Sequence, residues 1–575
     1  MDFIGSLPPE EQAVDRVAML DVGSEALTAR IHLIRSARRS LALQTIIWVN
    51  DEVGLLLMYE LIQAARRGVK VRLLIDHFSS EKHHEIAAFL ATVHPNLRIR
   101  IYNPLPSFFS RHGIDPSGLD MLAGLLTKFN RLNQRMHNKV FLADGIVGIT
   151  GGRNNENTYY DQARGLNYKD RDILVTGQAV GAMEESFDAF WEFRVSVPLE
   201  KLVDLGAAAA GKDPKGWHRE EDFAFHGLFG DIGKNASDRS MVKALFVKTL
   251  IPVEEASFIS DDPGKNDEEW LGLYSGKGKT TLELARLVAA AEKSIYIDTP
   301  YLVLSKPAIA LFSDLRKRRP GIDIRIATNS LAATDSWFTY AASFQQKQIY
   351  LRNLGFRIYE VKPLPGDMRT FMGSYDRLRT RPLTPSEEED ISRPPADGEF
   401  LTVSPGAPEQ VLEEPPQPGE PYFCLHAKSF VIDDEVLFIG SYNLDPRSEN
   451  INTEVGLVVR DRGFAAAVKE SIKRDMEPQN AWVIVRNRYP LKLGGTNAIL
   501  EELSRLFPVL DPWPVRYAGS YELLDDAEPV DPDHPEFYER YRNVGNFPHV
   551  AGDRGDRILG AWTVKTFFGT AKPLL

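Results

Sequence analysis

The sequence predicts an α/β fold with two pseudo-twofold-related halves, each built on a mixed, mostly parallel sheet covered by helices. The first observation is a pair of segments, one amphipathic and one β-rich, at 31–40 and 41–48, which recurs at 285–294 and 295–301. Apolar residues at helical spacing predict a helix, and a short β-branched run predicts a buried strand. Recurrence of the pair indicates two copies of one α/β unit.

The second observation is that each unit continues with another helix and another strand. These four segments lie at 55–67, 69–75, 308–318 and 322–327. Apolar strands that alternate with helices are typical of parallel sheets with helices on their faces. Each half then closes with a predicted helix that ends in an aromatic cluster, at 180–193 in the first half and at 464–482 in the second.

The repeat divides the chain into four predicted parts. They are the first half at 16–197, an irregular connecting segment at 198–279, the second half at 280–485, and a C-terminal extension at 486–575. The proline- and glutamate-rich stretch 379–421 is too polar for a core, which predicts a mobile or lid-like loop. Two apolar segments, 119–129 and 557–572, leave two interpretations open, contact with a membrane surface or packing against the body of the protein.

Composition limits the classes of protein that the chain can belong to. A net charge of −12 argues against a protein that coats nucleic acid, because such affinity comes mainly from neutralised phosphates. Cys424 is the only cysteine, which excludes an intrachain disulfide and a cysteine metal cluster. No apolar run approaches the roughly eighteen residues of a membrane-spanning helix, and the acidic N-terminal residues argue against a secretory signal.

The pattern His-x-Lys-x4-Asp occurs once in each half. Its members are His137, Lys139 and Asp144 in the first half and His426, Lys428 and Asp433 in the second. If each motif lies on a strand, its histidine and lysine project from the same face. An asparagine follows each histidine at the same spacing, Asn154 in the first half (154 − 137 = 17) and Asn443 in the second (443 − 426 = 17).

This set of residues suits a reaction at a phosphodiester. One histidine can attack the phosphorus and form a covalent intermediate, while the other protonates the leaving oxygen and deprotonates the incoming alcohol. Lysines and asparagines can stabilise charge on the non-bridging oxygens without a metal ion or another cofactor. Asp172 and Glu454 each open an apolar strand after the motif, and we expect them to orient His137 and His426 respectively.

The two motifs resemble the paired HKD motifs of the phospholipase D superfamily. The segments 131–139, 151–154, 328–335 and 440–454 are also similar to the C-type bacterial cardiolipin synthases, and the similarity runs from about residue 16 to residue 485. This resemblance implies the phospholipase D fold, with the active site at the interface of the halves. It also implies a phosphatidyltransferase that passes a phosphatidyl group through a histidine to a lipid hydroxyl.

The resemblance further implies roles for individual residues. His137 is expected to be the nucleophile and His426 the acid and base, whereas Asp144 and Asp433 support the motifs. Arg153 and Ser441 lie beside the asparagines, and we expect them to contact the phosphate. The implied substrates are phosphatidylglycerol and phosphatidylethanolamine. The implied location is peripheral, on a membrane of the bacterial cell envelope.

Two other functions use the same histidines. Transfer to water instead of a lipid hydroxyl would make the protein a phospholipase D that releases phosphatidic acid. A nuclease of the same superfamily would need basic grooves with aromatic stacking residues, and the acidic composition does not favour that. A binding protein with a degenerate site is disfavoured because both motifs are intact. The sequence does not predict an oligomeric state.

Overall fold

The structure is a computed structural model, and it describes residues 7–77, 84–104, 135–202, 228–265, 278–383, 388, 416, 419–487 and 518–550. The predicted amphipathic segments 119–129 and 557–572 lie outside the described residues, as does most of the proline- and glutamate-rich stretch 379–421. In the part of the chain that is described, no helix has both the length and the apolar character needed to cross a membrane.

The strands form two large mixed sheets and one small one. In chain order they are β1 (Arg16–Leu20), β2 (Ser40–Thr45), β3 (Lys70–Asp76), β4 (Leu97–Tyr102), β5 (Val140–Ala143), β6 (Val147–Gly151), β7 (Leu166–Lys169), β8 (Asp172–Thr176), β9 (Ser196–Pro198), β10 (Ile251–Pro252), β11 (Glu255–Ser260), β12 (Ser294–Asp298), β13 (Asp323–Asn329), β14 (Arg357–Val361), β15 (Tyr422–Leu425), β16 (Ser429–Ile432), β17 (Val436–Gly440), β18 (Val455–Arg460), β19 (Ala481–Arg486), β20 (Ala518–Leu523) and β21 (Tyr541–Asn543).

The α-helices lie between these strands. They are α1 (Pro9–Gln12), α2 (Gly23–Ser36), α3 (Glu52–Arg66), α4 (His84–Thr92), α5 (Ala179–Trp191), α6 (Leu228–Ser237), α7 (Arg239–Val242), α8 (Lys279–Ala290), α9 (Lys306–Arg318), α10 (Trp337–Phe344), α11 (Met368–Phe371), α12 (Tyr375–Thr380), α13 (Pro446–Asn450), α14 (Arg462–Asp475) and α15 (Phe537–Arg540). Short 3₁₀ turns at Asn157–Tyr159 and Leu199–Lys201 and π turns at Lys243–Val247 and Ile349–Leu354 complete the helical elements.

The α/β class with two related halves and mixed sheets is confirmed, but the sheets are not mostly parallel. The first has the order β10-β1-β8-β6-β5-β2-β3-β4-β9, and the second has the order β11-β18-β17-β16-β12-β13-β14-β19-β20-β21. Within these two sheets, among the described strands, only β2-β3-β4 and β12-β13-β14 pair in parallel. Parallel pairing requires a crossover connection, and helices cross over only within these two groups, whereas β5 and β6 are joined by a tight turn.

The repeated helices and strands of the sequence correspond to α2, β2, α3 and β3 in the first half and to α8, β12, α9 and β13 in the second. One predicted helix is too long. The segment 464–482 is helical only as far as Asp475 in α14, and its Trp482 is buried in β19. The continuous apolar run Ala481–Val485, which contains three β-branched residues, favours a buried strand, so Trp482 belongs to the sheet.

The described parts of the connecting segment and of the C-terminal extension add strands to the two large sheets. β10 pairs with β1 of the first sheet, and β11 pairs with β18 of the second, so the prediction of an irregular segment at 198–279 is wrong for these residues. β20 and β21 continue the second sheet beyond β19. Added edge strands cover backbone groups that would otherwise be left unpaired.

The two halves share a core. Each half has its own cluster of buried apolar side chains, and a third cluster combines residues of both halves, including the fully buried Val175 and Leu457. The small sheet also crosses the boundary, because β7 of the first half pairs in parallel with β15 of the second. Such continuous packing holds the halves in one fixed arrangement.

Candidate active site

Both motif histidines lie in loops just before a strand, and the prediction that they lie on the strand is wrong. β5 begins at Val140 and β16 at Ser429, so His137 and His426 each precede their strand by three residues (140 − 137 and 429 − 426). Both are nearly buried, with 9% and 6% of their surface exposed. The apolar strand that follows each loop anchors it in the core and leaves the imidazole free to reach the other half.

A parallel contact between the halves fixes each histidine. In the small sheet Lys169 lies opposite Leu425, and an isolated parallel bridge sets Met136 opposite Thr453. In each case the next residue is a histidine on one side and a carboxylate on the other. The backbone N–H groups of the two histidines donate to carbonyls of the opposite half at 3.1 and 2.8 Å. The histidine and its carboxylate are therefore brought together by backbone pairing.

The two imidazoles bind carboxylates across the boundary. His137 Nδ1 lies 2.8 Å from Glu454 Oε2 and 3.0 Å from Oε1, and His426 Nδ1 lies 2.6 Å from Asp170 Oδ2. Both carboxylates are buried. A carboxylate on Nδ1 keeps a proton there and leaves Nε2 of each ring as the nitrogen that can react.

The prediction that Asp172 orients a histidine is wrong, as is the assignment of Glu454 to His426. Asp172 is buried against two arginines, at 2.8 Å from Arg30 and 3.4 Å from Arg153. The Asp172 side chain, at the start of β8, binds these cations, whereas Asp170 lies in the short connection between β7 and β8 and binds His426. Asp170 is a candidate site residue that the sequence interpretation missed.

Strand register shows why the carboxylates of the two halves correspond. Gly151 pairs with Asp172 in the first sheet, and its counterpart Gly440 pairs with Gly456 in the second. The two active-site carboxylates each lie two residues before these partners (172 − 170 and 456 − 454). Counting two residues back from the strand partner of Gly151 leads to Asp170, just as counting back from the partner of Gly440 leads to Glu454. The strand register that this count needs is not visible in the sequence.

The aspartates that end the motifs hold neighbouring loops. Asp144 accepts backbone N–H bonds from residues 38–40 at 2.7 to 3.2 Å, and Asp433 accepts them from residues 292–294 at 2.7 to 2.9 Å. Both residues have a left-handed backbone with φ of 55°. These contacts fix the chain at the start of β2 and β12, beside the motif strands.

The two motif lysines place positive charge at the histidines. Lys139 Nζ donates to the carbonyl of His137 at 2.9 Å, and Lys428 Nζ donates to the carbonyl of His426 and lies 2.7 Å from its Nδ1. Burial, followed by the charge of Lys428, lowers the pKa of Lys139 to about 7, and burial lowers the pKa of Lys428 to about 8. A bound anion would stabilise both ammonium groups.

The two asparagines each present a buried polar atom without a partner. Within the described part of the chain, Oδ1 of Asn154 and Oδ1 of Asn443 make no hydrogen bond. The amide of Asn154 donates from Nδ2 to the Tyr159 hydroxyl at 2.9 Å. Buried amide atoms are costly to leave unsatisfied, so these side chains are suited to bind a ligand.

Arg153 and Ser441 do not face the phosphate as predicted. The side chain of Arg153 has no exposed surface, and its nitrogens donate to the backbone carbonyls of Leu20 and Tyr159, among others. Ser441 donates to Glu454 and to a backbone carbonyl. The hydrogen-bond donors of both side chains are used within the protein. Arg153 therefore stabilises the backbone around Leu20 and Tyr159, and Ser441 positions the carboxylate of Glu454.

Two tyrosines beside His426 were also missed by the sequence interpretation. The Tyr159 hydroxyl lies 3.4 Å from His426 Nε2, and the Tyr159 ring meets the imidazole edge-on at 5.0 Å between centroids. Tyr168 contacts the same imidazole at 4.8 Å. Tyr159 follows Asn154 by five residues (159 − 154), and the residue five positions after Asn443 in the second half is Ser448 (448 − 443). Tyr159 therefore has no tyrosine counterpart, and the repeat could not reveal it.

The two histidine–carboxylate pairs differ in their electrostatic surroundings. Burial, then Lys139 and Lys428, hold the pKa of His137 well below its usual range, and burial raises the pKa of Glu454 to about 7. Burial and Lys428 lower the pKa of His426 to about 4, against the opposing charge of Asp170. Although burial alone would raise it, Lys428 and His426 hold the pKa of Asp170 below its ordinary value.

Comparison with known proteins gives matches over most of the chain. Residues 30–191 and 406–476 match the family model described as "Cardiolipin synthase, PLD-like domain". Cardiolipin synthase C of Escherichia coli (strain K12) is 30% identical over 481 residues, which cover 82% of this chain and 86% of that protein. Cardiolipin synthase 2 of a Staphylococcus epidermidis strain is 22% identical over 80% of this chain and 67% of that protein.

Solved structures also match. The crystal structure of phosphatidylserine synthase from Haemophilus influenzae Rd KW20 superposes with a TM-score of 0.49 at 13% sequence identity, and the match covers 87% of this chain and 98% of that chain.

Proposed function

Since the chain belongs to the family of cardiolipin synthases with phospholipase D-like domains, we propose that it is a phosphatidyltransferase that acts through a phosphatidyl-histidine. The observation that carries the proposal is the reciprocal pairing of His137 with Glu454 and of His426 with Asp170 at 2.8 and 2.6 Å. The segments 16–197 and 280–485 are the two catalytic halves in this proposal, and each supplies one histidine and the carboxylate for the other.

In the first step His137 Nε2 attacks the phosphorus of the donor phospholipid. A phosphorus–nitrogen bond forms as the bond from phosphorus to the headgroup oxygen breaks. His426 Nε2 gives its proton to that oxygen, and the headgroup alcohol leaves. The phosphatidyl group is then held on His137, with Glu454 accepting from Nδ1 of the same ring.

In the second step the roles at His426 are reversed. The hydroxyl of the acceptor lipid gives its proton to His426 Nε2, and its oxygen attacks the phosphorus. The phosphorus–nitrogen bond breaks, and His137 is restored. Phosphatidylglycerol as the acceptor would give cardiolipin, whereas water in its place would give phosphatidic acid.

The electrostatic difference between the pairs supports this order of the histidines. A nucleophile must be neutral, and burial together with two lysines favours neutral His137 by lowering its pKa. A general acid must carry a proton. Burial and Lys428 lower the pKa of His426 to about 4, but Asp170 opposes this shift, so His426 is the more readily protonated of the two histidines. The Tyr159 hydroxyl, 3.4 Å from His426 Nε2, lies where the leaving or incoming oxygen would approach.

The lysines and asparagines would bind the non-bridging oxygens. Lys139 and Lys428 supply charge. The amides of Asn154 and Asn443, whose Oδ1 atoms have no partner among the described residues, can turn to present their NH₂ groups instead. Donors fixed in a buried site stabilise developing charge without reorganising during the reaction. We propose phosphatidylglycerol and phosphatidylethanolamine as the substrates and a peripheral position on a membrane of the bacterial cell envelope.

Product analysis tests this function. Purified protein is incubated with vesicles of phosphatidylglycerol and phosphatidylethanolamine in the presence of a chelator, and separately with single-stranded DNA. Mass spectrometry should find cardiolipin. Phosphatidic acid without cardiolipin would establish a hydrolase instead, and DNA cleavage without lipid turnover would contradict the proposal.

Single variants connect the activity to the site. His137→Ala and His426→Ala should each abolish turnover, because each removes one of the two reacting groups. His534→Ala is a matched control, since this histidine is exposed and its imidazole accepts a hydrogen bond from the backbone N–H of Glu536. It should behave as the wild type.

A further inference from the structure

Two exposed aromatic side chains stand side by side at the start of α10. Among the described residues, six large apolar side chains are exposed, and Trp337 and Phe338, at 37% and 38%, are the only two of these that are adjacent in the chain. Their rings meet edge-on with centroids 5.8 Å apart. The two adjacent aromatic side chains form an exposed apolar patch, and exposed apolar patches can mark interaction sites.

The rest of α10 fixes these two side chains in place. Tyr340 is buried and donates to Glu360 at 3.1 Å, and Phe344 packs on Phe547 of the C-terminal extension at 5.1 Å. The Ser336 hydroxyl caps the helix. One side of the helix is therefore anchored in the protein, while its first two residues project outward.

A short chain of contacts connects this helix to the active site. Asp335, two residues before Trp337, accepts hydrogen bonds from the Tyr301 hydroxyl at 2.9 Å and the Tyr168 hydroxyl at 3.0 Å. The Tyr168 ring in turn contacts the imidazole of His426 at 4.8 Å. The aromatic pair thus lies beside the wall of the site that holds His426.

The same loop also leaves the sheet at the edge where His426 lies. β13 ends at Asn329, whose side chain binds the backbone of Leu425 twice, at 2.7 Å to its N–H and at 2.8 Å to its carbonyl. His426 follows Leu425 directly. Ligands of α/β proteins bind at the carboxyl edge of parallel strands, and the loop that leads to Trp337 extends from that edge.

We propose that Trp337 and Phe338 form a membrane-docking lip that inserts into the headgroup region of a phospholipid bilayer beside His426. This inference rests on the proposed function, because a phospholipid reaches the site from a bilayer. Tryptophan and phenylalanine favour the interface between headgroups and acyl chains. The net charge of −12 gives no overall electrostatic attraction to anionic lipid, so apolar insertion would contribute to the binding.

Vesicle binding and activity are measured for the wild type and for the double variant Trp337→Ser with Phe338→Ser. Co-sedimentation uses vesicles of phosphatidylglycerol and phosphatidylethanolamine. Activity is assayed on the same vesicles and on dihexanoyl phosphatidylglycerol below its micelle concentration, which needs no bilayer. Leu282→Ser is the control, because Leu282 is 58% exposed and lies on α8.

The double variant should bind vesicles about tenfold more weakly or worse. Its turnover on vesicles should fall in parallel, while its turnover of the monomeric lipid stays within about twofold of the wild type. Leu282→Ser should change neither vesicle binding nor turnover on vesicles nor turnover of the monomeric lipid. Wild-type vesicle binding by the double variant would overturn the proposal, as would an equal loss on monomers and vesicles. Dissociation of an oligomer with unchanged vesicle binding would also overturn it, in favour of a protein partner.

A second measurement covers the case in which the double variant does not fold. Trp337→Phe keeps an aromatic ring, and its tryptophan fluorescence is compared with that of the wild type in vesicles that contain brominated lipid. Quenching should be greater for the wild type, and equal quenching would overturn the proposal. A wild type that turns over neither the vesicle lipid nor the monomeric lipid would contradict the proposed function, whereas turnover with normal vesicle binding by the double variant would contradict only the lip.

Discussion

His137 Nδ1 lies 2.8 Å from Glu454 Oε2, and these two atoms belong to opposite halves of the molecule. The second pair, His426 and Asp170, crosses in the other direction at 2.6 Å. Neither half therefore contains a complete histidine–carboxylate unit. An active site that is shared in this way needs both halves folded and packed together before either histidine is oriented.

Glu454→Gln and Asp170→Asn should each lower kcat by roughly 100- to 10,000-fold, the range attributed to a correctly placed acid–base group. The amide keeps the size of the side chain but no longer fixes the tautomer or stabilises the charged ring. Steady-state kinetics on a short-chain phospholipid measures the effect. Glu470→Gln, on an exposed carboxylate, is the control. A change of less than about threefold in Glu454→Gln would contradict the assigned orientation.

Asp172→Ala should lower the stability of the protein more than its catalytic rate. Its carboxylate is buried against Arg30 at 2.8 Å, and removing it leaves a buried cation without this partner, which costs about 3–5 kcal/mol in the free energy of unfolding. Thermal unfolding should show a clear fall in Tm. Asp188→Ala breaks the more exposed pair with Arg72 and should cost at most about 1 kcal/mol.

The specific activity of the folded Asp172→Ala variant distinguishes the role of Asp172 from that of Asp170. It should stay within about tenfold of the wild type, far above that of Asp170→Asn. Equal losses in kcat for the two variants, with unchanged Tm in both, would mean that Asp172 takes part in the reaction.

The pH dependence of kcat/KM should show the loss of charge on the two motif lysines. Lys139 and Lys428 have pKa values lowered to about 7 and about 8. A lysine is charged below its pKa, so the charge that binds phosphate is present at low pH and is lost as the pH rises through this range. For a soluble phospholipid, kcat/KM should therefore decline between about pH 7 and 8.

Arginine stays charged throughout this range, so Lys139→Arg or Lys428→Arg should move the decline to higher pH even if the maximal rate is lower. Lys473→Arg, at an exposed position, should leave the profile unchanged. An identical alkaline limb in the wild type and both motif variants would show that another group causes it.

Tyr159→Phe should lower kcat/KM roughly tenfold, about the net contribution of one hydrogen bond. The change removes the hydroxyl that contacts His426 Nε2 at 3.4 Å and Asn154 Nδ2 at 2.9 Å but keeps the ring. A shift of the pH profile would identify an effect through His426. Tyr538→Phe removes a hydroxyl that donates to the Arg486 carbonyl and should have wild-type activity. No change in Tyr159→Phe would exclude a role for the hydroxyl.

Much of the fold could be predicted because it depends on local patterns. Repeated apolar periodicity located α2, β2, α3 and β3 and their counterparts in the second half. The antiparallel majority of the pairings could not be read in this way, since strand order and direction depend on which strands meet in space. β10 and β11 were missed because two- and six-residue edge strands carry little periodic signal of their own.

The site could be predicted as a set of residues but not as a geometry. The sequence located both histidines and both asparagines, because the repeat places them at equal spacings. It misassigned Asp172, because choosing between Asp170 and Asp172 requires the register of β8 against β6. It also paired each carboxylate with its own half. Only the bridges between the halves, such as Met136 with Thr453, reveal the crossed arrangement.

Trapping the covalent intermediate tests the central claim most directly. Wild-type protein is mixed with phospholipid labelled in the phosphatidyl group and quenched within one turnover, and the labelled peptide is sequenced by mass spectrometry. The label should be found on His137 and should be absent from His137→Ala. Label on His426 would reverse the two roles, and rapid turnover with no labelled histidine would contradict the two-histidine mechanism.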